Sequence, residues 1–301
     1  MSGASDYWNR WQEQHASNTP RWVDWGEHPR VLAHLYRELF GAETTTVFDF
    51  FKSRFPQWAS AQAISLCCGD GSFERLLVEQ GVFGSVQGVD LAAERVAAAN
   101  AQCGALADRL SYTVADANLG DFGHQCYDIV FAKAALHHIE NLDALFAGMR
   151  RCLRPGGQLV TIDFFGPTRF QWTPRQLEAV NRFITEQIPP RLRQRADGTL
   201  FTAAVRPTVE QLVALDPSEA VRSSELYGLL QQQMQLQCDF AIGGTLLNLI
   251  LDASIVNNFA LDDAQAMALI DQAFALEREM MQRGEIGCDF RLIVAHFPEA
   301  A

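Results

Sequence analysis

Gln62-Ala63-Ile64-Ser65-Leu66-Cys67-Cys68-Gly69-Asp70-Gly71-Ser72-Phe73-Glu74 passes through three kinds of structure. Ala63–Leu66 is a short apolar run that reads as a buried strand. It breaks into Gly69-Asp70-Gly71, and a helical pattern begins at Ser72. Such a turn lets a ligand approach the backbone, because glycine has no Cβ and the first amides of a helix are unpaired. Nineteen residues beyond Gly71, a second short strand, Val86-Gln87-Gly88-Val89, ends in Asp90. A carboxylate there is placed to accept both hydroxyls of a ribose. The two features together imply a nucleoside-bearing cofactor. A dinucleotide turn needs a third small residue three positions after the second glycine. That position is Glu74, whose charge would repel a pyrophosphate.

The next landmarks follow in order. Val114-Ala115-Asp116-Ala117 reads as the end of a third strand, and Tyr127–Lys133 as a fourth. Ala135-Leu136-His137-His138-Ile139 comes next, then Leu153-Arg154-Pro155-Gly156-Gly157-Gln158-Leu159, a helix–turn–strand entry to a fifth strand. From about residue 62 to 165 this set resembles the class I S-adenosylmethionine (SAM) methyltransferases, small-molecule type. The family turn has an acid, any residue, then three glycines at alternate positions. Here Ser65 stands for the acid and Cys67 for the first glycine, while Gly69 and Gly71 match. The resemblance implies that Cys67, Gly69, Asp70 and Gly71 form the cofactor turn. It also implies that Asp90 and Leu91 meet the ribose and adenine edge, and that Asp116 and Ala117 hold the adenine. The expected fold is α/β, a doubly wound, seven-stranded, mostly parallel sheet with a closing antiparallel hairpin.

Composition narrows the partners. The chain has 301 residues, 48% of them apolar, enough for a sizeable core. Net charge is −12, with Lys52 and Lys133 the only lysines, which disfavours nucleic acid and anionic membranes. Seven cysteines, an odd number in a long chain, read as reduced thiols of a cytoplasmic protein. Their spacing with histidine makes no zinc site, and no metal is expected. No apolar run reaches membrane-spanning length, and the start, Met1–Trp8, does not read as a targeting segment. A monomer or homodimer is expected.

Four regions are expected. Residues 1–60 read as an N-terminal helical cap with five of the six tryptophans, and 61–165 as the cofactor-binding core. Residues 166–230, which begin Gly166-Pro167 and include Asp216–Glu225, read as a substrate-lid insertion, and 231–301 as the closing helices and strands. Tyr7, Trp8 and Trp11 fall on one helical face and read as packing. Trp22, Trp25 and His28 sit in a loop ahead of a helix and are candidates for the pocket wall. The 166–172 and 216–225 segments resemble those of an uncharacterised bacterial subgroup.

Methyl transfer from a sulfonium is an in-line displacement, so the protein chiefly aligns groups and excludes water. His137 is the candidate base, because imidazole titrates near neutral pH. Lys133, at a strand's carboxyl end, is placed for an anionic substrate group or the SAM carboxylate. His138, Asp163, Arg169 and Arg222 are further substrate candidates. The leading expectation is methyl transfer to an oxygen or nitrogen of a natural product, sugar or lipid precursor, leaving S-adenosylhomocysteine. The alternatives are a SAM-binding enzyme without methyl transfer, or a non-catalytic partner protein.

Overall fold

The structure, a computed structural model, describes residues 2–15, 22 and 24–298; the side chains of 2 and 10–15, Trp11 included, lie outside that description. The elements are α1 (Ser2–His15), α2 (Pro29–Phe40), α3 (Val47–Arg54), β1 (Gln62–Leu66), α4 (Ser72–Glu79), β2 (Ser85–Asp90), α5 (Ala93–Ala101) and β3 (Leu110–Val114). They continue with β4 (Tyr127–Lys133), α6 (Leu142–Cys152), β5 (Leu153–Phe164), α7 (Pro174–Glu186), α8 (Val209–Leu215) and α9 (Ser223–Gln233). β6 (Gln235–Gly243), α10 (Leu247–Ile250), α11 (Ala264–Gln282) and β7 (Phe290–His296) close the chain.

The strands form one sheet in the order β3-β2-β1-β4-β5-β7-β6. β3, β2, β1, β4 and β5 are parallel, and β7 runs antiparallel between β5 and β6. This is the expected doubly wound, seven-stranded α/β sheet. Strands buried on both faces must be apolar throughout, and Ile129, Val130, Phe131 and Ala132 of β4 are fully buried. Phe131, Phe83 and Phe51 pack on one face; Val130, Leu136 and Leu145 pack on the other. Each such side chain contributes about 1.5–3 kcal/mol by burial. A third apolar cluster joins α2, α7, α10 and α11 through Val31, Val180, Leu247 and Ile270.

Local chemistry sets most boundaries. Thr46 and Asp49 form a capping box that starts α3, and Thr173 with Gln176 starts α7 after Pro174 sets the first turn. One detail differs from the sequence reading. Leu153–Gly157 is part of a long β5, paired to Tyr127 across a register shift. After β6, α10 is a single turn, because Gly243 and Gly244 take φ of 92° and 72° and Glu277 captures the amides of Gly244, Leu246 and Leu247. α11 packs inward: Leu269, Ile270, Ala273 and Phe274 are buried in the third cluster.

Candidate functional site

The strand order places the candidates side by side. Asp116 follows β3, Asp90 ends β2, the Cys67–Gly71 turn follows β1, and Lys133 ends β4. These positions surround a cavity of about 340 Å³ lined by Cys67, Gly69, Asp70, Glu74, Asp90, Leu91, Asp116, Ala117 and Lys133. That size suits a small organic ligand.

The turn is built by backbone geometry. Cys67, Gly69 and Gly71 all take positive φ, at 49°, 59° and 68°. Cys67 therefore adopts a conformation that favours glycine, which explains why the family pattern has glycine there. A Cβ on Gly71 would stand 2.5 Å from the Tyr112 ring, so this glycine makes room for the tyrosine, whose hydroxyl donates to Gly71 O. Asp90 clamps the turn: Oδ2 accepts from Gly69 N and Oδ1 from Ala92 N, both at 2.8 Å. A carboxylate has about four acceptor positions, so both oxygens retain capacity for hydroxyl donors.

Two carboxylates on this wall are incompletely satisfied. Asp116 Oδ1 accepts from the backbone and side chain of Asn118. Ser65 Oγ donates to Glu74 Oε1 at 2.7 Å. Among the described residues, Asp116 Oδ2 and Glu74 Oε2 are buried without a hydrogen-bond partner. Such atoms are costly unless a donor arrives. Glu74 is only 3% exposed. Burial pushes its carboxyl above the usual range, against the Ser65 bond and the charge of Lys133. The acid missing at position 65 is thus supplied by Glu74, nine residues later and hydrogen-bonded to the serine that replaced it.

α1 covers this edge. Ser5 Oγ donates to Leu91 O, and Asn9 Oδ1 accepts from Glu94 N. Ala4 and Trp8 line the cavity, and the Arg95 guanidinium lies 4.8 Å from the Trp8 ring centre. Pro217, Ser218 and Val221, from the turn between α8 and α9, line it too.

A second polar centre adjoins. His137 Nδ1 meets Asp163 Oδ1 at 2.6 Å, and His137 Nε2 lies 3.4 Å from Glu219 Oε1. Burial would lower the imidazole, but the Asp163 and Glu219 carboxylates hold it up to about 10. Burial likewise opposes charge on both acids, yet His137 keeps Asp163 below its ordinary value and Glu219 at about 2. Asp163 also accepts the amides of Ala135, Leu136 and Phe164. His138 is pushed down by burial and by the His137 charge.

Several expected residues stand elsewhere. His137 does not line the cavity, and its two carboxylate partners favour its protonated form over that of a free base; His138 is the histidine on the wall. Asp163 is a fully buried partner of His137. Trp22, Trp25 and His28 pack away from the crevice. Trp22 lies against His28 at a ring tilt of 51°, its backbone N–H donates to Asn257 Oδ1 and its O accepts from Asn257 Nδ2, Trp25 meets Phe290, and His28 Nε2 bonds Phe259 O. Arg222 pairs with Glu225 at the surface, and Arg169 donates to Glu219 O. Sequence reasoning missed Trp8, Glu74 and Glu219. The available signal for Glu74 was its place in the first turn of α4, from which a side chain reaches back to the end of β1.

Residues 64–161 match the family model described as a methyltransferase domain. That match covers about a third of the chain, and the fold is that of the class I SAM-dependent methyltransferases. Geranyl diphosphate C-methyltransferase from Streptomyces coelicolor A3(2) shares the fold over 99% of this chain and 98% of its own, with a TM-score of 0.51 and 17% identity. Phosphoethanolamine N-methyltransferase 1 of Triticum aestivum is 24% identical over 46% of this chain and 27% of its own length. The 27-O-demethylrifamycin SV methyltransferase of Amycolatopsis mediterranei (strain S699) is 29% identical over 46% of this chain and 52% of its own. The matched segment thus spans about a quarter to a half of these two curated relatives.

Proposed function

We propose that the chain is a SAM-dependent methyltransferase acting on an oxygen or nitrogen nucleophile of a small molecule. The observation that carries this is a pair of buried oxygens without a partner among the described residues, Asp116 Oδ2 and Glu74 Oε2, on one cavity wall that also holds Asp90. In this reading Asp116 takes the adenine amino group and Asp90 the ribose hydroxyls. Glu74 takes the ammonium of the amino-acid head and Lys133 its carboxylate. Bound SAM supplies a methyl group on a sulfonium. The chain holds the acceptor in line and excludes water. Ala4, Trp8 and Val221 are the residues for the second task, and His138 walls the acceptor side.

The rifamycin and phosphoethanolamine relatives support a natural-product or lipid-precursor acceptor, and a sugar fits the same polar wall. The net charge of −12 supports a small acceptor over nucleic acid. Among the described residues no helix is long and apolar enough to cross a membrane, and all seven cysteines are free. We place the protein in the cytoplasm, as a monomer or homodimer. Isothermal titration with SAM and S-adenosylhomocysteine, with NAD as control, tests the cofactor. Micromolar binding of both sulfur ligands and none of NAD is expected; no sulfur-ligand binding overturns the reading. Homocysteine release across an acceptor panel then tests transfer.

A further inference from the structure

We propose that His137, His138 and Glu219 form a binding site for one divalent transition-metal ion of the zinc or ferrous type. The inference goes beyond the cofactor reading and does not depend on it. Each of the three residues offers a ligand atom, and these atoms lie within 4.8 Å of one another. They come from two segments that the backbone ties together: Val221 N donates to His137 O at 3.0 Å.

Both imidazoles are oriented from behind, as metal-bound histidines are. Asp163 Oδ1 holds His137 Nδ1, and three amides fix Asp163 in turn. That leaves Nε2 facing Glu219 at 3.4 Å; the ion takes the place of the proton on Nε2, which is released to solvent as the metal binds. His138 Nδ1 lies 3.1 Å from Ser218 Oγ, and that hydroxyl gives its own proton to Asp216 Oδ1 at 2.7 Å. A carboxylate has no proton to donate, so the serine oxygen accepts from His138 Nδ1–H, and Nε2 keeps its lone pair.

Two imidazoles and one carboxylate suit zinc, iron, cobalt or nickel, whereas magnesium and calcium prefer oxygen ligands throughout. Bonds of about 2.0–2.2 Å need ligand atoms roughly 3–3.5 Å apart, so the cluster must contract by about 1 Å. Glu219 is half-buried on a turn and supplies that movement by side-chain rotation. His138 and Ser218 line the cavity, so the cluster adjoins it through His138. A cation there binds water or an acceptor oxygen and lowers its pKa.

The test uses the full chain, stripped with chelator and without SAM, titrated with Co²⁺ by visible absorption and with Zn²⁺ by calorimetry. One ion per chain is expected, with nitrogen/oxygen d–d bands and no competition from Mg²⁺. Glu219→Gln and His138→Gln each weaken binding on the order of tenfold or more. His124→Gln, at an exposed site elsewhere, leaves it unchanged. Near-UV circular dichroism checks the fold, and if one variant is unfolded the other decides. A thiolate charge-transfer band, or equal binding in wild type and folded variants, overturns the proposal. Because SAM is absent, failure here leaves the cofactor reading standing.

Discussion

Glu74→Gln removes a charge and keeps the volume. In the wild type, Oε1 is occupied by Ser65 and Oε2 is buried without a partner among the described residues. An ammonium arriving at Oε2 makes a charge-assisted hydrogen bond in a water-poor site, worth about 1.5–3 kcal/mol. The glutamine retains a neutral acceptor at best, so SAM affinity falls roughly 10- to 150-fold. The control ligand is 5′-methylthioadenosine, which keeps the adenosine and a thioether but has no amino-acid head. Calorimetric titration of both ligands into both proteins should show the loss for SAM alone. An equal loss for both would mean that the substitution deforms the turn. No loss for SAM would remove Glu74 from the head-group site.

Two further outcomes concern stability. Burial, reinforced by the charge of Glu277, raises Asp289 from 3.8 to about 7. The folded state therefore keeps a proton that the unfolded chain gives up, and stability falls as pH rises from about 4 to about 7, by about 4 kcal/mol at 1.36 kcal/mol per unit. Asp289→Asn should flatten that part of the urea-stability profile; an unchanged slope would place its source elsewhere. In metal-free protein, His137→Ala leaves Asp163 buried without its cation, which costs roughly 3–5 kcal/mol. Because three amides still serve Asp163, the lower end is expected, and a loss below about 1 kcal/mol in urea unfolding would refute the pairing.

The strand-end wall of the cavity was legible because its residues end a strand or follow one closely. Gly69, Gly71, Asp90 and Asp116 sit where a parallel sheet ends, and strand ends can be read locally. Glu74 was visible only as an obstacle to a pyrophosphate; its bond to Ser65 depends on how the first turn of α4 folds over β1. The aromatic loop at Trp22–His28 was misread because an aromatic near a helix start looks the same whether it faces a pocket or, as here, the segment around Asn257 and Phe259. Glu219 lies 81 residues after His138, so only tertiary packing brings them together. Trp8 was assigned to packing because the hydrophobic period of α1 does not say what lies beneath it.

The order β3-β2-β1-β4 also acts as a ruler. Adjacent strands are about 4.8 Å apart, so the edge from β3 to β4 measures about 14 Å. A ligand touching both Asp116 and Lys133 must lie stretched along that edge. A nucleoside too short to span it reaches one end and leaves the other untouched, a limit set by hydrogen-bonded backbone spacing that no single side-chain substitution can change.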